Sequence, residues 1–580
     1  MNGYLFDSNR SSMSSGPQTT LSRNPPPLFC MKLRRAIIAV LSLLPSCAAL
    51  ANTVATDLGP VSGEVADGIE VFRAVPYAAP PVGPLRWRRP QPAHSWSIPP
   101  DNSRFSPACP QSGRYPADSP VEPMSEDCLY LNLWRPAGQP SHPLPVMVWI
   151  HGGGLEFGSA STPLYHGDVL ATHGVIVASF NYRLGVLGFL AFPDLSAESP
   201  NHTSGNYGLL DQVAALNWVH RNIAAFGGDP NNVTLFGQSS GAISISVLSI
   251  MPSTAGLFRR AIGQSGGLFE PLELADDFTL PGAERAGVDF AMETGARALE
   301  ELRALPADAL LRARFVPHFV VDGHDLPESP FAAYSANRNH ALDLLVGFNA
   351  DDGAWALDGR NVTAASLSTV LSKDFPSWLV FLIGPSDPAS DVDAYRASAA
   401  FERDMRFAWD MTIWARLHAA QGNGTTYFYR FGGADGRSNR GTHGSELPFV
   451  FGHAPPAGSW SEADWNLSTQ MASYWTHFAG TGNPNESGFE RWNTYLTAGE
   501  STIELGEPPL GRGERSDLDF VPRIDAVYKT VRFVAAHEVL VGTGLAAIVL
   551  ATLLLLVRKI VRRGRHIAQN RALARVRSER

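Results

Sequence analysis

Lysine is almost missing from this chain. Its 580 residues include only Lys32, Lys373, Lys529 and Lys559, so arginine carries nearly all of the positive charge. That shortage by itself carries no functional conclusion. There is no internal repeat and no long low-complexity run, which excludes solenoid and disordered readings. Charged residues make up 17% of the chain and hydrophobic ones 44%, enough to bury a large core. Positive charge is scarce where it would matter for nucleic acid. The tail Arg558–Arg580 contributes +8 and the segment Met1–Ala51 contributes +4, so with a total of -9 the intervening body carries -21. A body that acidic repels phosphates, which excludes a nucleic-acid binder.

Cysteine is equally scarce, with four in the chain. Cys30 and Cys47 fall in or before a leader-like segment. Met31-Lys32-Leu33-Arg34-Arg35 precedes the apolar run Ala36–Leu44, and Ala49-Leu50-Ala51 forms an A-x-A site. Those are the three parts of a secretory signal peptide, with Met31 a candidate start. A second reading takes Leu44-Pro45-Ser46-Cys47 as a lipid-attachment site. Only Cys109 and Cys128 remain in the body. In an exported domain they are expected to pair, and closing so short a loop is worth roughly 3 kcal/mol. Val539–Val557 holds no charge over 19 residues and is followed by Arg558-Lys559 and Arg562-Arg563. The length suits a membrane-spanning helix, and the basic flank predicts a cytoplasmic tail, residues 558–580, with the body outside.

The body, residues 52–530, reads as one large α/β domain. Val146–Ile150, Val175–Phe180, Val233–Phe236, Leu344–Val346 and Tyr427–Phe431 are dominated by apolar residues. Separated by helical stretches such as Leu209–Phe226, they predict a mostly parallel sheet covered by helices on both faces. Gly227-Gly228-Asp229-Pro230 is expected to stop that helix.

The strongest chemical signal is Gly237-Gln238-Ser239-Ser240-Gly241, a G-x-S-x-G pentapeptide between an apolar strand and a stretch of helical potential. The flanking glycines permit a tight turn that exposes the serine. A serine hydroxyl needs a base to become a nucleophile, and donors for the oxyanion its attack creates. His151-Gly152-Gly153-Gly154 follows a strand, where bare backbone N–H groups can serve as those donors. Among 16 histidines, His443 in Gly441-Thr442-His443-Gly444 is the best local candidate for the base. For the acid, Asp351-Asp352-Gly353 follows the strand ending at Val346, where a sheet delivers side chains to its carboxyl edge.

Further motifs carry a family resemblance. Pro76–Gly83, Ser125-Glu126-Asp127-Cys128-Leu129-Tyr130-Leu131-Asn132, Asn181-Tyr182-Arg183-Leu184-Gly185 and Gly208-Leu209-Leu210-Asp211-Gln212 together resemble the type-B carboxylesterases, the group that also contains cholinesterases and fungal lipases. The resemblance runs from about Gly59 to about Asp525 and implies an α/β-hydrolase fold. It implies Ser239 as nucleophile, His443 as base and Asp352 as acid, at a place where the family usually has Glu. Asp351 is the competing acid. Asp is one methylene shorter, so either the loop moves inward or the bond to His443 lengthens. Gly153, Gly154 and the N–H of Ser240 match the oxyanion donors. Gln238 stands where Glu is usual, which removes a negative charge, and Ser240 stands where Ala is usual. Ser265 and Glu446 are expected in a supporting layer near Gln238 and His443, and Arg86 is expected to pair with Glu126. The Cys109–Cys128 loop contains no Trp, whereas cholinesterases use one there to hold a quaternary ammonium, which argues against a choline ester specialist.

The implied activity is hydrolysis of small or lipid-like esters, with no metal or cofactor. A catalytically silent adhesion ectodomain of the same fold is the rival reading, and acyl transfer to an alcohol is a third. Asn201, Asn232, Asn361, Asn423, Asn466 and Asn485 begin N-x-[ST] sequons, available for glycosylation in a eukaryotic secretory route.

Overall fold

Strands dominated by apolar residues need cover on both faces, and they receive it. The computed structural model describes residues 52–112, 123–272, 275–432, 441–455, 460–496, 501–506 and 520–537, with residues 553–554 and 557–558. The leader-like segment up to residue 51, most of the run Val539–Val557 and residues 559–580 of the tail lie outside the described residues.

The described strands form one eleven-stranded sheet. They are β1 (Asn52–Ala55), β2 (Pro60–Ala66), β3 (Ile69–Pro76), β4 (Tyr130–Pro136), β5 (Leu144–Ile150), β6 (Ile176–Phe180), β7 (Gly228–Gln238), β8 (Arg260–Gln264), β9 (Asp343–Asn349), β10 (Thr426–Phe431) and β11 (Ile503–Leu505). Their order across the sheet is β1-β2-β3-β4-β6-β5-β7-β8-β9-β10-β11. β1 to β4 pair antiparallel, β4 meets β6 antiparallel, and from β6 onward every pairing is parallel.

Side-chain alternation divides each central strand between two cores. Val146, Val148 and Ile150 of β5 enter one core, while Met147 and Trp149 enter the other. Leu344, Val346 and Phe348 of β9 face the first, and Leu345 the second. The helix Tyr207–Asn222 covers the first face with Leu209, Leu216 and Trp218. The helix Glu462–Thr481 covers the second with Met471, Trp475 and Phe478, and a Ser461–Asp464 capping box starts it. The helix read as Leu209–Phe226 ends instead at Asn222. Its last turn, Ile223–Phe226, tightens into a 3₁₀ helix before Gly227 at φ 84° closes it.

Two of the sequence motifs prove to be one structure. Arg183 donates to Asp211 through Nε at 2.7 Å and Nη2 at 2.8 Å, with both side chains buried. Arg86 donates through Nε to Glu126 at 2.7 Å. Cys109 and Cys128 are disulfide-bonded, with Cα atoms 5.1 Å apart.

Among the described residues no helix is long and apolar enough to cross a membrane. The described part of the run 539–557 lies against the body: Leu554 and Val557 pack on the first core, and the Arg558 guanidinium sits 4.9 Å from the Phe381 ring centroid.

Candidate active site

The parallel strands deliver their carboxyl ends to one edge, and the candidate residues gather there. β5 and β7 are neighbours, with Ile150 opposite Gly237, so the His151–Gly154 loop and the Ser239 turn leave the sheet side by side. β9 lies beside β8 and carries Asp352 in the turn just past its end.

Ser239 stands between β7 and the helix Ser240–Leu248 at φ 55° and ψ −128°. A non-glycine residue there is strained, and such strain persists where the surroundings force it. The cause is close approach. A Cβ at Gly241 would lie 2.0 Å from the Ile150 carbonyl oxygen, so only glycine lets the turn fold this tightly against β5.

The glycine loop is equally cramped. Gly153 has φ 109°, and a Cβ there would meet the Phe157 carbonyl oxygen at 2.0 Å. A Cβ on Gly152 would lie 3.1 Å from Cβ of Ser239, which places the loop directly over the serine. Among the described residues the N–H groups of Gly153, Gly154 and Ser240 donate to no acceptor. Next in the chain is Leu155, buried and at φ 62°, a conformation that costs about 1–2 kcal/mol for an L residue. His151 braces the loop from below. Its Nδ1 lies 2.8 Å from the Gly152 carbonyl oxygen, its ring stacks on Tyr182 at 4.4 Å, and burial pushes its pKa down to about 4. From the disulfide loop, Gln111 grips both backbone groups of Gly158, at 2.9 and 3.0 Å.

His443 Nδ1 donates to Asp352 Oδ1 at 2.8 Å. Asp352 is fully buried, and its Oδ2 accepts from Ser265 Oγ and from the Asn349 N–H, each at 2.7 Å. Asp351 is exposed and does not share this contact. The bond to His443 has an ordinary length, so the shorter acid does not lengthen it. With Nδ1–H given to Asp352, Nε2 of His443 holds a lone pair, and the donor reaching it is the Gln238 side-chain amide at 3.1 Å. Phe407 stacks on the imidazole at 4.5 Å, projected from a π-helical turn, Asp404–Ala408.

Ser265 bonds Asp352 itself, not Gln238 or His443. Glu446 accepts from Gln264 at 3.0 Å and from Asn349, and burial, aided by the nearby Asp352 carboxylate, pushes its pKa up to about 6. Tyr182, Asn349, Gln264 and Phe407 escaped the sequence reading as site residues. Tyr182 lay inside a motif already noted; Phe407 had no local signal, because a π-helical turn leaves no distinct periodicity. Among the described residues no cluster of His, Cys, Asp and Glu could hold a metal ion.

The sequence pattern of the Carboxylesterase family matches residues 50–520. The chain belongs to the carboxylesterase family. Among relatives, a fumonisin B1 esterase of Sphingopyxis macrogoltabida is 37% identical over 79% of this chain and 87% of its own length. A para-nitrobenzyl esterase of Bacillus subtilis (strain 168) is 34% identical over 78% of this chain and 94% of its own. A thermophilic para-nitrobenzyl esterase structure superposes with a TM-score of 0.69 at 32% identity, covering 78% of this chain and 96% of that one. The fold of this carboxylesterase is the α/β-hydrolase fold of those structures, and ester hydrolysis is the family's chemistry.

Proposed function

We propose that this carboxylesterase works by a Ser239–His443–Asp352 triad and forms an acyl-enzyme on Ser239. The hydroxyl of Ser239 attacks the ester carbonyl as His443 Nε2 takes its proton. Asp352 fixes the tautomer and stabilises the imidazolium. The N–H groups of Gly153, Gly154 and Ser240 receive the oxyanion. His443 then protonates the leaving alcohol, and a water repeats the sequence to release the acid. The observation that supports this most is the 2.8 Å bond from His443 Nδ1 to buried Asp352, made where the strained Ser239 turn meets the glycine loop. For attack, the Ser239 hydroxyl replaces the Gln238 amide at Nε2, a rearrangement of the kind that separates free enzymes from their substrate complexes.

This intact set weighs against a silent adhesion ectodomain. Ser239→Ala measured on an ester panel tests the reading, with a para-nitrobenzyl ester and fumonisin B1 as its first members because relatives bear those names. Loss of all ester cleavage is the expected result. Partition of the acyl group between water and added alcohol separates hydrolysis from acyl transfer.

The proposal extends to location: an exported body, anchored by Val539–Val557, with residues 558–580 cytoplasmic. Its support is the uncharged 19-residue run followed by basic residues, together with the disulfide. The contact of Arg558 with Phe381 favours a second reading, in which the run folds back onto the body.

A further inference from the structure

The two halves of the oxyanion hole come from different parts of the chain, and something must hold them in register. Gly153 and Gly154 lie on the loop after β5, while the third donor is the first N–H of the helix Ser240–Leu248. The loop is not at rest in its shape, because Leu155, which follows the glycines, is buried and held at φ 62°. A left-handed leucine stays there only if its backbone groups are tied on both sides. Its carbonyl accepts from Gly185 N–H at 2.7 Å. Its N–H donates to the side-chain oxygen of Ser240 at 3.3 Å.

The Ser240 residue is only 2% exposed, so its hydroxyl is held inside this junction. At the other end of the loop, Tyr182 donates to the His151 carbonyl at 2.9 Å and stacks on the His151 ring. Ser240 holds one end of the glycine loop through Leu155, and Tyr182 holds the other through His151. Gly152 to Gly154 are spanned between those two anchorage points.

We propose that the Ser240 hydroxyl is a positioning group for the reaction: it clamps the glycine loop to the nucleophile's helix and so sets the spacing of the oxyanion donors. This role is separate from that of the Ser240 peptide N–H, which any residue would supply. The inference rests on the esterase reading of Ser239. Hydrolysis surviving Ser239→Ala would sink that reading, whereas normal catalysis by Ser240→Ala would sink only the clamp.

The geometry makes a distinctive demand on kinetics. The oxyanion exists in the transition state and not in the bound ester, so a misplaced donor lowers kcat and leaves KM alone. Ser240→Ala keeps the peptide and removes only the hydroxyl. With a para-nitrophenyl ester, kcat should fall roughly 10- to 100-fold, the scale of an error near 1 Å, with KM unchanged to within about twofold. A trifluoromethyl ketone, which places an oxyanion in the hole when Ser239 adds to it, should lose affinity by the same factor as kcat/KM. Ser240→Cys keeps the side-chain volume but replaces the oxygen with a weak acceptor and should show the same split with a smaller fall; it carries the test if Ser240→Ala does not fold by circular dichroism. The clamp is overturned if kcat stays within twofold of the parent in the folded variants, if KM rises while kcat holds, or if kcat falls with ketone affinity intact.

Discussion

At the scale of single residues, the acid decides most. A carboxylate that accepts from His443, Ser265 and the Asn349 N–H at once has no room for a donor of its own. An amide at that place must turn its NH₂ toward one of these donors, which costs the bond or flips the imidazole tautomer. Asp352→Asn should therefore lower turnover by several orders of magnitude, about 10⁴ in the serine protease template, without loss of fold. Asp351→Asn should cost far less, because that side chain is exposed. Steady-state kinetics on both, with circular dichroism as control, check this; the reverse ranking would reassign the acid. The sequence narrowed the acid to two adjacent carboxylates, and family resemblance chose one. Neither could reveal why that one is right, because burial is set by the turn after β9 packing on Ser265, just past the end of β8. Gln238 was legible as a lost charge, but its contact with Nε2 of His443 depends on a side-chain torsion that no pattern encodes.

At the scale of elements, legibility followed burial. β5, β6, β7, β9 and β10 could be read because their central positions are mostly apolar and buried on both faces, leaving little alternation to mislead. β8 was missed: Arg-Ala-Ile-Gly-Gln looks like a polar loop, yet all five residues are buried. Its polar ends are satisfied by partners remote in sequence, Gln264 by Glu446 and Trp475, Arg260 by Asn232 and the Ala479 carbonyl. The antiparallel β1 to β4 sheet edge was equally unread.

The same kind of remote satisfaction buries a histidine. His418, on the helix Trp409–Gln421, contacts Thr426 Oγ1 at 2.7 Å and the Leu342 carbonyl at 2.9 Å, and burial pushes its pKa down to about 4. Between an ordinary value near 6.5 and 4, the unfolded chain binds a proton that the folded one refuses, so stability falls as pH falls through that window. His418→Gln lacks this effect. The stability advantage of the parent over the variant, from urea unfolding, should shrink by about 2 kcal/mol between pH 7 and pH 5. Parallel pH curves for the two would contradict it.

At the scale of the whole molecule, an acidic carboxylesterase body is followed by an uncharged run and a basic tail. Anchoring through Val539–Val557 predicts that the chain stays with membranes after carbonate extraction, and that protease added outside intact cells or spheroplasts spares an epitope at residues 558–580. Release of the full-length chain would favour the folded-back arrangement that the Arg558–Phe381 contact suggests. The catalytic reading does not depend on that outcome. Its most direct test is covalent: treat the folded protein with a fluorophosphonate, which phosphonylates an activated serine, and map the adduct by peptide mass spectrometry in the parent and in Ser239→Ala. The account predicts one stoichiometric adduct on Ser239 whose formation parallels loss of esterase activity, and neither adduct nor activity in the variant; an adduct on another serine, with hydrolysis surviving in Ser239→Ala, would contradict it.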